Sequence, residues 1–230
     1  MLSLLTVITA RGGSKGIPKK NMALIGGKPL LSYTLKSVLA AHLEGRIVVS
    51  TDDNEIEKFS RTHNVEVIKR PTEISGDKAS SESALLHAID VVAGSGFYPE
   101  VVLTLQPTSP FRRPETIKKF VEKFSQIKDS FDAMLSVNEN RDVFWLPEPD
   151  GNFKRLFPNA PRRRQERTPI FLENSALYIT KVDVLQKTKS VLGKKTAGFV
   201  IEQEEALDIN EPIDLLFADF YIKYGSYRKN

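Results

Sequence analysis

TARGGSKGIPKKN, residues 9–21, follows directly on the apolar run LSLLTVI at residues 2–8. The stretch holds four cations, three glycines and a proline, and no acidic residue. An apolar strand, a glycine-rich basic turn and then a helical pattern is how an open, mainly parallel α/β sheet begins. In such sheets ligands bind beyond the carboxyl ends of the strands, and the turn after the first strand is a frequent phosphate site. Glycines at 12, 13 and 16 let backbone N–H groups approach phosphate oxygens, while Arg11, Lys15, Lys19 and Lys20 bring charge-assisted hydrogen bonds. Neither the Walker pattern G-x-x-x-x-G-K-[ST] nor G-x-G-x-x-G is present. The alternative is a solvated basic turn.

The rest of the chain continues the alternation. Strands are expected at 3–9, 46–51, 65–70, 100–106, 131–137, 171–180 and 196–202, with a helix over 28–43 whose apolar stripe is Leu31, Leu35, Val38 and Leu39. Asp53 is a candidate cap for a helix over 54–63, and Ser80 or Ser81 for one running to Ala93. Pro114 and Pro212 open two more. Residues 140–170, rich in proline, asparagine and arginine, break the rhythm and predict a protruding excursion that serves a dimer contact. The expected architecture is one domain over residues 1–230, built on a Rossmann-like, mainly parallel sheet flanked by helices.

Composition narrows the classes. Hydrophobic residues are 40% and charged residues 27% of the 230, and no segment approaches the roughly 20 apolar residues of a membrane-spanning helix. No signal peptide is expected, because the apolar start lacks a basic region before it and runs into Arg11. The absence of cysteine removes disulfides, thiolate metal sites and thiol nucleophiles, and fits a reducing cytoplasm. A net charge of +4 favours no polyanionic partner. His42, His63 and His87 fall in helical patterns outside any nucleophile motif.

Five stretches, taken together and in order, resemble the acylneuraminate cytidylyltransferases, also called CMP-sialic acid synthetases, and their relatives that activate other nonulosonic acids. They are ARGGSKGIPKKN with GGKPLLSYTL, IVVSTDD at 47–53, RPTEISGDKASS at 70–81, LQPTSPFR at 105–112, and ENSALYI at 173–179 with LDIN at 207–210. The resemblance spans nearly the whole chain. It implies a nucleotide-diphospho-sugar transferase type of fold, a homodimer, and transfer of CMP from CTP to the anomeric hydroxyl of an acidic nine-carbon 2-keto sugar, with Mg²⁺ or Mn²⁺ and release of pyrophosphate. It further implies that Arg11, Lys15, Lys20 and Asn21 form the nucleotide loop, with Arg11 and Lys20 neutralising the triphosphate and Lys19 facing solvent. Arg70 and Ala79 are implied at the base, Ser81 at phosphate, and Gln106, Arg164, Asn174 and Tyr178 at the sugar. Asp208 is the implied principal metal ligand, with Asn210 beside it.

Plainer readings stand next to these. Ser81 and Asp208–Asn210 also suit helix caps, QPTSP a proline-bounded loop, and Arg162, Arg163 and Arg167 a solvated face. Asp52 and Asp53 are expected to cap the helix that follows them. Where sialate-specific members often read F-R-P-N-G-A, residues 171–176 read FLENSA, with leucine and glutamate in place of arginine and proline, which points towards a legionaminic, pseudaminic or other nonulosonic acid. Asn210 where the family commonly has aspartate predicts weaker metal binding than a two-aspartate site. Two other functions remain open: a glycosyltransferase using a nucleotide-sugar, and a basic RNA-binding module, although the arginine cluster lacks the interleaved aromatics that stack bases.

Overall fold

A computed structural model describes residues 2–14, 16–76 and 79–225. In chain order it has β1 (Leu4–Thr9), a two-strand ribbon of β2 (Leu24–Ile25) and β3 (Lys28–Pro29), α1 (Leu30–Ala40), β4 (Arg46–Thr51) and α2 (Asn54–Thr62). There follow β5 (Glu66–Lys69), α3 (Ser81–Gly94), β6 (Val101–Leu105), α4 (Pro114–Ile127) and β7 (Ala133–Asn140). A hairpin of β8 (Trp145–Pro147) and β9 (Phe153–Arg155) precedes β10 (Ile170–Lys181), α5 (Val182–Thr188), β11 (Thr196–Val200) and α6 (Pro212–Tyr224).

Seven strands form the central sheet in the order β11-β7-β10-β6-β1-β4-β5. Pairing is parallel from β6 through β1 and β4 to β5 and again between β7 and β11, while β10 runs antiparallel to both its neighbours. The expectation of a mainly parallel Rossmann-like sheet holds, with one reversed strand inside it. Alternation along each strand feeds two cores. Leu4, Ile8, Leu103, Leu105, Leu177 and Ile179 enter one, closed by residues of α1, α2 and α4. Leu5, Val7, Val48, Ile68 and Val102 enter the other, closed by α3 and α5. Phe120 and Phe124 of α4 are wholly buried, and truncating either to alanine is worth about 3–5 kcal/mol.

Local chemistry sets the helix starts. Asp53 accepts the N–H groups of Glu55 and Ile56 at 2.7 and 3.0 Å, and Ser80 accepts that of Ser83 at 3.2 Å. Proline stands in the first turn of both α4 and α6. Glu211 and Asp214 form a reciprocal capping box on α6, so that helix is capped by them and not by Asp208 or Asn210. The first long helix begins at Leu30 instead of residue 28, because Lys28 and Pro29 pair back on Leu24 and Ile25. The excursion expected at 140–170 is an exposed arm whose only strands are β8 and β9, and it is tied at its base by Arg141 and Arg167. Each donates to the other's backbone carbonyl, Arg167 at 2.7 Å. Among the described residues no helix is long and apolar enough to cross a membrane.

Candidate active site

The four parallel strands β5, β4, β1 and β6 end on one side, and Thr9 at the end of β1, with Arg70 and Gln106 just beyond β5 and β6, meets the N-terminus of α3 in a cleft of about 260 Å³. Register explains why these residues gather. Val7, Val48 and Thr104 stand in one row on the α3 side, and two residues further along the same side come Thr9, Ser50 and Gln106. Of the residues implied by the motifs, Arg11, Lys20, Asn21, Arg70, Ala79, Ser81 and Gln106 all line this cleft. Lys15 lies outside the described residues.

The opening loop is held from both sides. The Gly12 N–H donates to Asp52 at 3.0 Å, and the Asn21 amide donates to the Arg11 carbonyl at 2.8 Å. A Cβ on Gly12 would stand 2.7 Å from Asp53 Oδ2, and one on Gly16 would stand 2.6 Å from the Asn210 carbonyl oxygen. Those two glycines are therefore required by close approach to neighbouring chain, which adds to the phosphate-access argument for the loop. Asp52 does not cap the helix, contrary to the expectation from sequence; it faces back, accepts the Gly12 N–H and holds the turn, and Asp53 alone is the cap. Lys19 is exposed and paired with Glu55 at 2.8 Å.

Lys20 turns inwards. Its ammonium donates to the Ile209 carbonyl at 2.8 Å and is 3.4 Å from Asn210 Oδ1, so the LDIN segment clamps the cation at the cleft. Burial pushes its pKa below the usual lysine range; Asp208 opposes that and Arg11 adds to it. Arg70 is buried, with its guanidinium on the Ser50 carbonyl and hydroxyl at 2.9 and 3.2 Å. Its pKa is likewise lowered by burial first, with Asp52 opposing and Arg11 adding. Arg11 thus lies in the field of both Lys20 and Arg70. A cleft in which Arg11 disfavours the charge of both Lys20 and Arg70 favours an anion between them.

Asp208 and Asn210 suit a hard cation unequally. Asp208 Oδ1 is buried without a partner in the protein, an orphaned acceptor of the kind a metal satisfies, while Oδ2 accepts the Asn210 amide at 2.8 Å. The Asn210 oxygen faces Lys20. Among the described residues no group of three or more His, Cys, Asp or Glu is assembled for a metal, so Asp208 would depend on phosphate and water to complete the shell.

The implied sugar contacts separate. Gln106 lines the cleft. Tyr178 is paired with Thr104 and points to the α3 side, since Leu177 and Ile179 enter the opposite core. Asn174 is buried with both ends of its amide engaged: Oδ1 accepts from Ser136 Oγ at 2.6 Å and from the Ala176 N–H at 3.2 Å, and Nδ2 donates to Asn138 at 3.4 Å. It shapes a bulge in β10. Arg164 is exposed on the arm, 3.6 Å from Asp142, and does not line its own chain's cleft.

Two residues escape a sequence reading. Arg112, wholly buried, donates to the carbonyls of Gln106 and Ala176 and to Thr34 Oγ1 at 2.7 Å, tying the Gln106 loop, the β10 bulge and α1 together. Burial pushes its pKa down to about 9, with Asp208 and then Glu205 opposing. His87 on α3 has its pKa lowered by burial and by nearby Arg70, and its Nδ1 is buried without a partner. The signal for Arg112 was its place in LQPTSPFR; nothing local announces the buried setting of His87.

A parallel sheet with a cation-lined cleft at its carboxyl edge, a helix N-terminus and one orphaned carboxylate defines a nucleotidyltransferase type of α/β protein. The fold agrees with a solved CMP:2-keto-3-deoxy-manno-octonic acid synthetase complexed with CTP, at a TM-score of 0.69 and 17% identity over 97% of this chain and 99% of that one. A family model described as cytidylyltransferase matches residues 5–213, and the chain belongs to that family. It is 32% identical over 220 residues to the CMP-N,N'-diacetyllegionaminic acid synthase of Legionella pneumophila, covering 93% of each. It is 28% identical over 218 residues to the N-acylneuraminate cytidylyltransferase of Escherichia coli, covering 94% of this chain and 51% of the relative. The chain thus spans about half the length of the E. coli protein and nearly all of the Legionella one.

Proposed function

We propose that the chain transfers CMP from CTP to the C2 hydroxyl of an acidic nine-carbon 2-keto sugar. The bond formed joins the C2 oxygen to the α-phosphorus, the bond broken is that between the α-phosphorus and the oxygen bridging to the β-phosphate, which departs as pyrophosphate, and the C2 hydroxyl proton passes to water. The observation that carries this reading is the meeting of Arg11, Lys20 and Arg70 with the start of α3 in one cleft beside Asp208. The names of the relatives, which activate N-acylneuraminate and diacetyllegionaminate, support the substrate class.

Each residue has a role that its placement suits. Arg70, deep in the cleft on the Ser50 carbonyl, and the Ala79 backbone hold the base, and Ser81 at the first turn of α3 meets phosphate. Arg11 and Lys20 neutralise the charge that builds on the departing pyrophosphate, the place where preorganised cations contribute most. Gln106 orients the sugar. Magnesium or manganese, when bound, supplies further charge neutralisation on phosphoryl oxygens. Asp208, through its unpartnered Oδ1, is the residue suited to hold it, and Asn210 joins only with its oxygen turned away from Lys20. The carboxylate of the sugar is assigned to Arg164. Because Arg164 lies on the arm outside its own cleft, this assignment goes with a homodimer in which the arm of one protomer approaches the cleft of its partner.

Pyrophosphate release from CTP and Mg²⁺, measured with and without the sugar acid, tests the reading. Sugar-dependent release is expected, falling about 10²- to 10³-fold in Lys20→Ala. A Lys20→Ala protein with an unaltered rate would remove that residue from the mechanism, and wild-type protein without sugar-dependent release would remove the function.

A further inference from the structure

One wall of the cleft is a loop that holds itself poorly. Gln106, Pro107 and Thr108 line the cleft, and the stretch PTSP at 107–110 has proline at both ends, so neither end donates a backbone hydrogen bond. A backbone bond within the loop, from the Ser109 N–H to the Gln106 carbonyl, is long at 3.4 Å. The firmer hold comes from Arg112. Its Nη2 donates to the same Gln106 carbonyl and to Thr34 Oγ1 of α1, both at 2.7 Å, and its Nη1 donates to the Ala176 carbonyl of β10. One planar fork braces the start of the loop against a helix and a strand whose Leu31, Leu35 and Leu177 are wholly buried.

The loop passes that constraint on. The Thr108 carbonyl accepts the Ile209 N–H at 2.8 Å, and the Ile209 carbonyl accepts the Lys20 ammonium at 2.8 Å. Gln106 and Lys20, both on the cleft, are therefore placed by one continuous set of contacts that begins at Arg112, and Asp208 precedes the shared Ile209. The acceptors of Arg112 are all neutral, and the opposing charges in its field are Asp208 and Glu205. A guanidinium so buried is a costly way to stabilise a fold, which points to placement as what it supplies.

Resting on the CMP-transfer reading above, we propose that Arg112 is a positioning residue of the reaction. By setting the 106–108 loop it fixes the spacing between Gln106, which orients the sugar, and Lys20, which neutralises the departing pyrophosphate. That spacing brings the C2 oxygen into line with the α-phosphorus. Arg112 itself touches neither substrate; it acts through the loop.

Steady-state kinetics on Arg112→Lys, Arg112→Met and Thr34→Val test this, with CTP, Mg²⁺ and whichever of N-acetylneuraminic and N,N'-diacetyllegionaminic acid the wild type turns over. Lysine keeps the charge and loses the fork. Thr34→Val is close in shape, removes one acceptor and leaves both carbonyl bonds, so it decides the matter if the Arg112 variants do not fold. Circular dichroism gives the folded fraction. Because placement and not affinity is at stake, kcat per folded molecule should fall about 10²-fold in both Arg112 variants and about fivefold in Thr34→Val, while the KM values for CTP and for the sugar acid each stay within about threefold. An unchanged kcat in every variant that folds, even with a lowered melting temperature, makes Arg112 a structural tie only and overturns the proposal. Full activity in Arg112→Lys beside low activity in Arg112→Met shows that charge alone matters and overturns it too, and in both cases the function stands. No turnover by wild type with either acid removes the function and the proposal together.

Discussion

Lys20 shows how far a single residue can be read. Its cationic role is proposed from its place behind the first strand, but its inward placement depends on the Ile209 carbonyl, which lies 189 residues away. Because burial lowers its pKa, the ammonium is lost at a lower pH than in an ordinary lysine. The free enzyme is cationic there below that pKa and neutral above it, so kcat/KM for CTP should fall as pH rises through a point under 10.5. Lys20→Arg keeps its charge at any accessible pH, so the alkaline limb should move upwards in a pH–rate profile. A limb that stays in place belongs to another group. Asp52 and Asp53 mark the limit of reading at this scale. The two are neighbours of the same type, yet one holds Gly12 and the other caps α2, because successive residues leave a strand on opposite sides. Arg112 was visible inside a motif, but its three acceptors come from α1, the loop after β6 and β10, and no spacing in sequence brings those together.

Most elements were legible, and the misses have local causes. Every expected strand forms, one with both ends as expected and the others with ends displaced by up to three residues, since β-branched alternation announces the middle of a strand better than its ends. The ribbon of β2 and β3 has two residues in each strand and offers no period to read, and α5 follows β10 with no turn residue between them. The bulge in β10 is invisible to alternation because it comes from the register with β7. Glycines separate at this scale too. Gly16→Ala puts a methyl 2.6 Å from the Asn210 carbonyl and must push the loop off the LDIN segment, whereas Gly94 at the end of α3 has nothing within 4 Å of its Cβ position. Gly16→Ala is expected to raise the KM for CTP about tenfold or more. Gly94→Ala should leave it unchanged and add up to about 1 kcal/mol of stability in urea unfolding. Equal kinetics in the two variants would show that the close approach at Gly16 does not matter.

At the scale of the whole molecule, apolar surface is concentrated in two places. Trp145, Leu146, Phe153 and Phe157 are exposed on the arm, and Ile213, Leu216, Phe217 and Phe220 form an exposed stripe along α6. Exposed aromatic clusters of this kind mark contact surfaces. Since the arm also carries Arg164, the proposed homodimer is expected to close through it. Trp145→Glu with Phe153→Glu should halve the mass seen by light scattering and abolish sugar-dependent turnover without lowering the melting temperature of the core. A dimer that survives both substitutions would move the contact to α6.

Periodicity and residue chemistry by themselves determined the α/β class and the basic glycine turn behind the first strand, because strand ends and glycine turns are local, while the stretches that meet at the cleft were marked by their resemblance to the family. Tertiary structure alone decided the reversed strand β10, the buried hub at Arg112, the different tasks of Asp52 and Asp53, and the pairing of Glu173 with Tyr178. Each of these depends on register between strands or on burial, and both are set by contacts between segments that no local pattern encodes.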